Sequence, residues 1–280
     1  MNLETKILGI LGYPLSHTLS PIIHEGLIKE FNINYLYLIL EKEKPTQKIL
    51  SSNDSISFDG LSVTIPHKVW AYKIADVHDE ASRIMKASNT LIRKDGKIYA
   101  YNTDGLGAVQ SIKEYFPYLL ETKQEVLILG SGGSARGIAY ALQKEEKKIC
   151  ISSRNEITAK KIIKDLGKST VSFQPLANLK KEKHRFDLII NTTPVGMKGR
   201  EDSQIIDRSF FSRDMVLFDI VYNPIETELV KMAKIGGCKI IPGYEMLIYQ
   251  AMEQFFLFTN IRVREKQVEK VRNWVLKTLT

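Results

Sequence analysis

The stretch EVLILGSGGSARGIAYALQK, residues 125–144, decides the fold of this chain. An apolar, β-prone run leads into a glycine-rich turn, and a helix-forming segment follows. Gly130, Gly132 and Ala135 give the spacing G-x-G-x-x-A, which is typical of a dinucleotide-binding turn in this context. The first glycine makes the tight turn, the second lets a pyrophosphate approach the backbone, and the N–H groups of the helix start bind the anion. The alternative is a purely structural glycine turn.

The end of the next predicted strand, ISSRN at 151–155, indicates which dinucleotide binds. An acidic residue about 20 positions beyond the glycine turn would bind the ribose 2′-hydroxyl of NAD, and this sequence lacks one there. Arg154 instead suits a 2′-phosphate through its charge and planar donors, and Ser153 and Asn155 add neutral donors. The segment therefore favours NADP over NAD, unless Arg154 only caps the edge of the sheet.

Strands and helices alternate outward from this turn to the C-terminus. A helix precedes it in DGLGAVQSIKEYF, and ITAKKIIKDLG, closed by Gly167, is a later helix. KKICISSRN, FDLIINTTPVG and MVLFDIVYNP supply further strands, and two helices at about 245–258 and 263–278 finish the chain. This succession predicts an α/β fold with a Rossmann-type, doubly wound parallel sheet.

The N-terminal part of the chain shows a separate α/β pattern. KILGILG at 6–12 predicts a strand, and SPIIHEGLIKEFN predicts a helix with Ser20 as its N-cap and Pro21 at its first position. YLYLIL at 35–40 predicts a buried strand. NTLIRKDGKIYAYN at 89–102 predicts a hairpin turning at Asp-Gly.

The segment GLSVTIPHKVW at 60–70 places a lysine at an unusual position. Apolar residues alternate with Ser62 and Thr64, which predicts a half-buried strand, and Pro66 ends it. Lys68 then falls on the first turn of a helix, where the helix dipole disfavours a cation. Lys68 is either a solvated surface residue or a lysine directed into a cleft.

The composition limits the classes of function. The chain has 280 residues, 44% hydrophobic and 26% charged, which suits a globular protein with room for two domains. The sequence shows neither a bilayer-spanning run of about 18 apolar residues nor a signal peptide. A net charge of +8, scattered among acidic residues, favours small anionic ligands over nucleic acid. Two cysteines and no Cys/His cluster with metal spacing predict no metal and a reducing, cytoplasmic setting.

Eight motifs occur in order over nearly the whole chain. They are GYPLSHTLSPIIH (12–24), GLSVTIPHK (60–68), ASNTL (87–91), NTDGLG (102–107), GSGGSARG (130–137), NTTPVGM (191–197), DIVYNPIETEL (219–229) and GYEMLIYQA (243–251). Together they closely resemble the shikimate dehydrogenase family, NADP-linked enzymes of chorismate and aromatic amino-acid biosynthesis. The resemblance implies reversible hydride transfer between 3-dehydroshikimate and shikimate.

The resemblance also implies a role for individual residues. Lys68 matches the catalytic lysine of the family and Asp104 its partner aspartate. The implied substrate-binding residues are Thr18, Ser20, Thr64, Asn89, Tyr222 and Gln250. The implied cofactor-binding residues are Gly130, Ser131, Gly132, Gly133, Ser134, Ala135, Ser153, Arg154, Asn155, Thr192 and Gly243. The histidines His17, His24 and His67 are weaker acid–base candidates, since neither metal nor triad spacing joins them.

Two positions depart from the family pattern and keep alternatives open. Thr18 stands where the first loop usually has serine, and changes in this loop accompany a switch toward quinate in relatives. Ser62 stands where asparagine is common, a smaller departure. The alternatives are a broader quinate/shikimate dehydrogenase that uses NAD(P), and an NADP-binding protein without turnover.

The expected chemistry needs a proton donor as well as a hydride. Lys68 can give a proton to the ketone oxygen and take it back in the reverse reaction, and Asp104 would titrate with it as a coupled pair. We expect a substrate-binding catalytic domain at 1–103, an NADP-binding Rossmann domain at 104–242, and C-terminal helices at 243–280 that return to the first domain. We also expect a cleft between the domains, a small-molecule substrate as the partner, and a monomer or homodimer.

Overall fold

The structure of the protein is a computed structural model. It describes residues 5–16, 18–50, 57–123, 125–167, 169–198 and 205–280, without the side chains of 180–184. The candidate His17 therefore lies outside the described residues. The chain divides into two compact units, one of residues up to 103 with 250–278 and Thr280, the other of 104–249 with Leu279.

The first unit is built on a mixed sheet. Its strands are β1 (Lys6–Gly12), β2 (Tyr35–Glu41), β3 (Gly60–Val63), β4 (Val77–His78), β5 (Thr90–Lys94) and β6 (Lys97–Tyr101). Its helices are α1 (Ser20–Glu30), α2 (Lys68–Ile74), α3 (Glu80–Met85), the C-terminal part of α8 (Gly243–Thr259), and α9 (Glu265–Leu279), with a 3₁₀ turn at Gln47–Leu50. The division between the units thus falls inside α8, at Gln250, rather than at residue 243 where the predicted C-terminal segment begins.

The sheet of the first unit has the order β2-β1-β3-β5-β6-β4. Strand β1 pairs in parallel with β2 and β3, whereas β5 pairs antiparallel with β3 and β6. Asp95 and Gly96, with φ of 50° and 71°, make the β5–β6 turn and confirm the predicted hairpin. The sheet therefore brings the ends of β3 and β5, which carry Ser62 and Thr90, side by side at its centre.

Three local predictions in this unit were wrong. Strand β2 is an edge strand rather than a buried one, and its Leu36 and Ile39 are 51% and 57% exposed because only β1 pairs with it. Strand β3 is buried on both faces rather than one, because it lies between β1 and β5. Ser20 is the first residue of α1 rather than its N-cap, and its backbone N–H donates to Thr18 Oγ1 at 3.4 Å.

The second unit is built on an all-parallel sheet. Its strands are β7 (Glu125–Leu129), β8 (Ile149–Ser152), β9 (Val171–Phe173), β10 (Phe186–Asn191), β11 (Val216–Asp219) and β12 (Lys239–Ile241). Its helices are α4 (Asp104–Tyr115), α5 (Gly133–Lys144), α6 (Glu156–Leu166), α7 (Glu228–Ile235) and the start of α8, with 3₁₀ turns at Pro117–Leu120, Leu176–Arg185 and Arg208–Phe210.

The order of this second sheet is β12-β11-β10-β7-β8-β9. Counted along the chain it is the 3-2-1-4-5-6 order of the doubly wound fold, which confirms the predicted Rossmann class. The order reverses between β7 and β10, and ligands of such sheets bind at the carboxyl ends of the strands there. Within the described residues, each helix is either too short or too polar to span a bilayer.

Candidate active site

Lys68 is the first residue of α2, at the turn that leaves β3. Hydrogen bonds hold this turn from both sides. The N–H of Thr64 donates to the carbonyl of Leu11 at 2.9 Å, and the N–H of Ser88 donates to the carbonyl of Lys68 at 2.8 Å. The buried His67 ring places Nε2 2.6 Å from the carbonyl oxygen of Lys42. The backbone position of Lys68 is thus fixed, and His67 has a structural contact of its own.

Asn89 and Gln250 are brought together by the fold. The Asn89 Nδ2 group donates to Gln250 Oε1 at 3.2 Å and to Thr103 Oγ1 at 2.9 Å. The Thr103 hydroxyl in turn donates to the carbonyl of Gln250 at 3.0 Å. All three residues are at least nine-tenths buried. The sequence did not single out Thr103, although it directly precedes Asp104 in the motif NTDGLG.

The remaining predicted substrate residues of the first unit lie on β1–α1 and after β3. Thr18 and Ser20 are neighbours through the 3.4 Å hydrogen bond at the start of α1, and Ser20 is buried. Thr64 packs on Gly12, where an added Cβ would lie only 2.5 Å from Thr64 Cγ2. A side chain at position 12 would therefore displace Thr64.

Asp104 opens α4 in the second unit, where a carboxylate is favoured by the helix dipole. It is 6% exposed, which is unusual for an aspartate. Lys68 belongs to the first unit, so the pairing of these two side chains stays a prediction.

The glycine turn lies at the point where the order of the second sheet reverses. Gly130 has φ of 109°, a conformation open to glycine, and an added Cβ would lie 2.6 Å from Thr192 Oγ1. The backbone N–H of Thr192 and its hydroxyl both donate to the carbonyl of Leu129, at 2.9 and 2.6 Å. Thr192, which follows β10, therefore fixes the turn that follows β7.

The space beyond this turn fits a pyrophosphate. A Cβ added at Gly132 or Gly133 would meet no atom within 4 Å. Gly132 is the N-cap of α5 and, as a glycine, makes no side-chain hydrogen bond to the first N–H groups of the helix. Open N–H groups at the start of a twelve-residue helix are a ready anion site, so the residues present fit a dinucleotide.

The predicted 2′-phosphate segment is ordered by local hydrogen bonds. Asn155 caps α6 by accepting from the N–H of Thr158 at 3.1 Å, and the Ser153 hydroxyl donates to the carbonyl of Asn155 at 2.9 Å. Thr158 Oγ1 lies 2.5 Å from Ser131 Oγ, which ties the glycine turn to α6. Arg154 itself is exposed. The sequence motifs did not mark Thr158, which shares the first turn of α6 with the cap.

A buried carboxylate, that of Asp219, lies at the carboxyl end of β11 in the second sheet. Asp219 accepts from Thr227 Oγ1 at 2.6 Å, from Asn191 Nδ2 at 2.9 Å and from the N–H of Val221 at 3.2 Å. Burial raises the pKa of Asp219 to about 6, and these three hydrogen bonds oppose the rise. The loops after β10 and β11 are thereby joined through one side chain.

Gly243 packs against the backbone that follows β11, and Tyr222 belongs to that same segment of the second unit. An added Cβ at Gly243 would lie 2.4 Å from the Val221 carbonyl oxygen and 2.5 Å from that of Asp219, so only glycine fits. Burial raises the pKa of the Tyr222 hydroxyl, which therefore stays protonated. Tyr222 can donate one hydrogen bond at neutral pH.

His24 is a core residue. Its ring stacks on Tyr37 with centroids 4.4 Å apart, and it is fully buried. Burial lowers the pKa of His24 to about 3, with the Gln254 side chain opposing the shift. The ring is neutral at physiological pH, and its stacking among aromatic side chains gives it a packing role.

Comparison with known families identifies the two units. Residues 10–91 match the shikimate dehydrogenase substrate binding domain, residues 113–239 match the shikimate/quinate 5-dehydrogenase family, and residues 243–271 match the shikimate 5′-dehydrogenase C-terminal domain. The third match covers all of α8 and the first part of α9.

Relatives and solved structures agree along the full length. A shikimate dehydrogenase (NADP+) of Leptospira interrogans is 49% identical over 99% of this chain and 97% of its own, and that of Methanocaldococcus jannaschii is 34% identical over 100% and 99%. A shikimate dehydrogenase structure in complex with NADP+ matches with TM-score 0.87 and 34% identity, over 99% of this chain and 96% of that one. The quinate dehydrogenase of Corynebacterium glutamicum in complex with NAD matches with TM-score 0.88 and 25% identity, over 98% and 99%. The chain therefore belongs to the shikimate dehydrogenase family.

Proposed function

We propose that this chain catalyses the reversible, NADPH-linked reduction of 3-dehydroshikimate to shikimate in chorismate biosynthesis, with Lys68 and Asp104 as its acid–base pair. The observation that most strongly supports this reaction is the 49% identity, over 99% of the chain, with an enzyme named shikimate dehydrogenase (NADP+). Family membership confirms the predicted enzyme class and the NADP cofactor. The roles of individual residues are part of the proposal.

The cofactor site is the open helix start after β7. Gly132 and Gly133 leave room for the pyrophosphate, and the N–H groups of α5 would bind it. Arg154, exposed after β8, would hold the 2′-phosphate through charge-assisted hydrogen bonds. NADPH supplies the hydride when bound. Ser131, Ser134, Ala135, Ser153, Asn155, Thr192 and Gly243 complete the proposed cofactor set.

Lys68 carries the proton in the proposed mechanism. Its Nζ gives a proton to the ketone oxygen of 3-dehydroshikimate as the carbon is reduced, and takes one from the shikimate hydroxyl in the reverse direction. Asp104 orients the ammonium group toward the substrate oxygen. The hydrogen bond that the Lys68 carbonyl accepts from the Ser88 N–H holds the backbone from which this side chain extends.

Substrate recognition is assigned to short neutral side chains. We place the substrate carboxylate on the hydroxyls of Thr18 and Ser20, and the ring hydroxyls on Thr64, Asn89 and Gln250, with Tyr222 beside the ring. The Asn89–Gln250 contact supports this, because paired buried amides present donors and acceptors at fixed positions. Sites that pair each hydroxyl strongly reject analogues that lack one.

The domain roles follow from these assignments. We propose that residues 1–103 bind the substrate, that 104–242 bind NADP, and that the helices of 243–280 serve the substrate domain through Gln250. We also propose a cytoplasmic location, supported by Cys150 and Cys238, which are buried thiols, the pKa of Cys238 being raised by burial. A monomer and a homodimer are both compatible with this function.

The decisive test is absorbance of reduced nicotinamide with purified protein, shikimate and NADP+ as the only additions. We expect a rise with shikimate and NADP+, and much slower rates with quinate or with NAD+. Comparable rates with quinate would favour the broader specificity that Thr18 leaves open. Tight NADPH binding without oxidation on addition of 3-dehydroshikimate would show a binding protein and refute the proposal.

A further inference from the structure

Gln254 lies one helical turn beyond Gln250 on α8 and reaches the centre of the first sheet. It is 2% exposed. Its Oε1 accepts from Ser62 Oγ on β3 at 2.9 Å, and its Nε2 donates to the Asn89 carbonyl at 2.8 Å and to Thr90 Oγ1 at 3.0 Å. One side chain thus joins the helix to two central strands.

Backbone groups fix the direction of each hydrogen bond in this cluster. The Asn89 carbonyl can only accept, so the nitrogen end of the Gln254 amide faces it. The Thr103 N–H can only donate, and it donates to Asn89 Oδ1 at 3.0 Å. These two groups determine the orientation of two amides whose oxygen and nitrogen look alike in shape.

The remaining orientations follow from these two. The Thr90 hydroxyl accepts from Gln254, so its proton goes to Asn89 Oδ1, at 2.9 Å. The nitrogen of Asn89 then faces Thr103 Oγ1 and Gln250 Oε1. Asn89 Oδ1 thus accepts from the Thr103 N–H and the Thr90 hydroxyl, while its Nδ2 group faces Thr103 and Gln250.

We infer that Gln254 is a positioning residue: it holds the Asn89 backbone and the Thr90 hydroxyl, and so supports the orientation of the substrate-binding amides Asn89 and Gln250 that the Thr103 N–H fixes. Because Gln250 Oε1 receives the Asn89 hydrogen bond, the orientation of the Gln250 amide follows from that of Asn89. This inference rests on the proposed substrate role of Asn89 and Gln250.

The experiment compares Gln254→Met and Gln254→Glu with the wild-type protein. Methionine keeps the volume and removes the hydrogen bonds, whereas glutamate keeps an acceptor for Ser62 and removes the donor to Asn89 and Thr90. We expect each variant to raise the KM and the calorimetric Kd for shikimate about tenfold or more, since buried groups lose their partners. The KM for NADP+ should stay within about twofold, because the network lies in the first unit.

A matched control is Gln143→Met. Gln143 is also buried on a helix and donates to a threonine hydroxyl, that of Thr170, but it belongs to the second unit. We expect its KM for shikimate to equal that of the wild type. A similar rise in the control would show a general effect of lost buried polar groups and would overturn the inference.

The outcomes separate this inference from the proposed function. A wild-type protein that neither binds nor oxidises shikimate overturns both. An active wild type with unchanged shikimate KM in folded Gln254 variants overturns the positioning role alone, as does a Gln254→Glu variant that behaves like the wild type. If both Gln254 variants fail to fold, Ser62→Ala decides: an approximately threefold rise in shikimate KM supports the role, and an unchanged KM rejects it.

Discussion

The two units of the molecule hold their proposed ligands in different ways. The first unit uses side chains, with Asn89, Gln250 and Gln254 joined by hydrogen bonds across β3, β5 and α8. The second unit uses its main chain, with the φ of Gly130 and the open start of α5. A main-chain site is specified by glycine spacing within a few residues. A side-chain network draws on positions as distant as Ser62 and Gln254, 192 residues apart, and no local pattern marks it.

The largest expected effect tests whether the first unit carries chemistry separately from cofactor binding. Lys68→Ala should lower kcat by about 10²–10⁴-fold, the usual contribution of general acid–base catalysis. Fluorescence titration of NADPH should give an affinity close to that of the wild type. A loss of kcat below about tenfold would contradict the catalytic role of Lys68.

The second prediction concerns Arg154, the side chain proposed to set the cofactor preference of the second unit. Arg154→Asp should lower kcat/KM for NADPH about 10–100-fold more than for NADH, because a charge-assisted hydrogen bond is lost and a repulsive charge is added. Initial rates with 3-dehydroshikimate and each cofactor measure this ratio. An equal loss for the two cofactors would mean that Arg154 does not contact the 2′-phosphate.

The third prediction tests the main-chain character of the cofactor site. Gly130→Ala places a Cβ at φ of 109° and 2.6 Å from Thr192 Oγ1, so the KM for NADP+ should rise about tenfold. Gly167→Ala is the matched control, since Gly167 also has positive φ, at 65°, but meets no atom within 4 Å. The control should lose some stability and keep its KM, and equal KM changes in both would argue against a specific turn.

The smallest expected effect is a pH dependence of opposite sign in the two units. The pKa of His24 is lowered from 6.5 to about 3, so its stabilisation is present above pH 6.5 and is lost as pH falls toward 3. The pKa of Asp219 is raised from 3.8 to about 6, so its stabilisation is present below pH 3.8 and is lost as pH rises toward 6. Acidification therefore weakens the first unit and strengthens the second at these positions.

Denaturant unfolding at several pH values measures these contributions. As the pH falls from 7 to 5, the titration of His24 should lower the free energy of unfolding by roughly 2 kcal/mol, and that of Asp219 should raise it by roughly 1 kcal/mol. The variants His24→Phe and Asp219→Asn should each abolish the corresponding change. Variants that shift the pH profile in the same direction would refute the assigned pKa directions.

The same contrast explains how much could be predicted from sequence. The glycine turn, the parallel sheet, the Asp95–Gly96 hairpin and the family were predictable because each depends on local spacing or on an ordered set of motifs. The exposure of β2 and the burial of β3 were not, because strand order in the first sheet decides them.

The same distinction between local and long-range signals applies to the proposed site. Asn89 and Gln250 were named from motifs, and their contact fits that choice. Three residues of the sites were not predicted: Thr103, Thr158 and Gln254. Their roles come from hydrogen bonds to residues far away in the sequence or at a helix start, and residue type alone does not reveal such bonds. Whether Lys68 and Asp104 act together stays a prediction.

The hydrogen-bond network around Asn89 has an evolutionary consequence. Replacing any single member of its network strands a buried donor or acceptor on a neighbour, so one-step changes pass through a destabilised intermediate. Mutations at Ser62, Thr90 and Gln254 should therefore show strong epistasis. In lineages that adapt this network to another polyol, we expect these positions to change together.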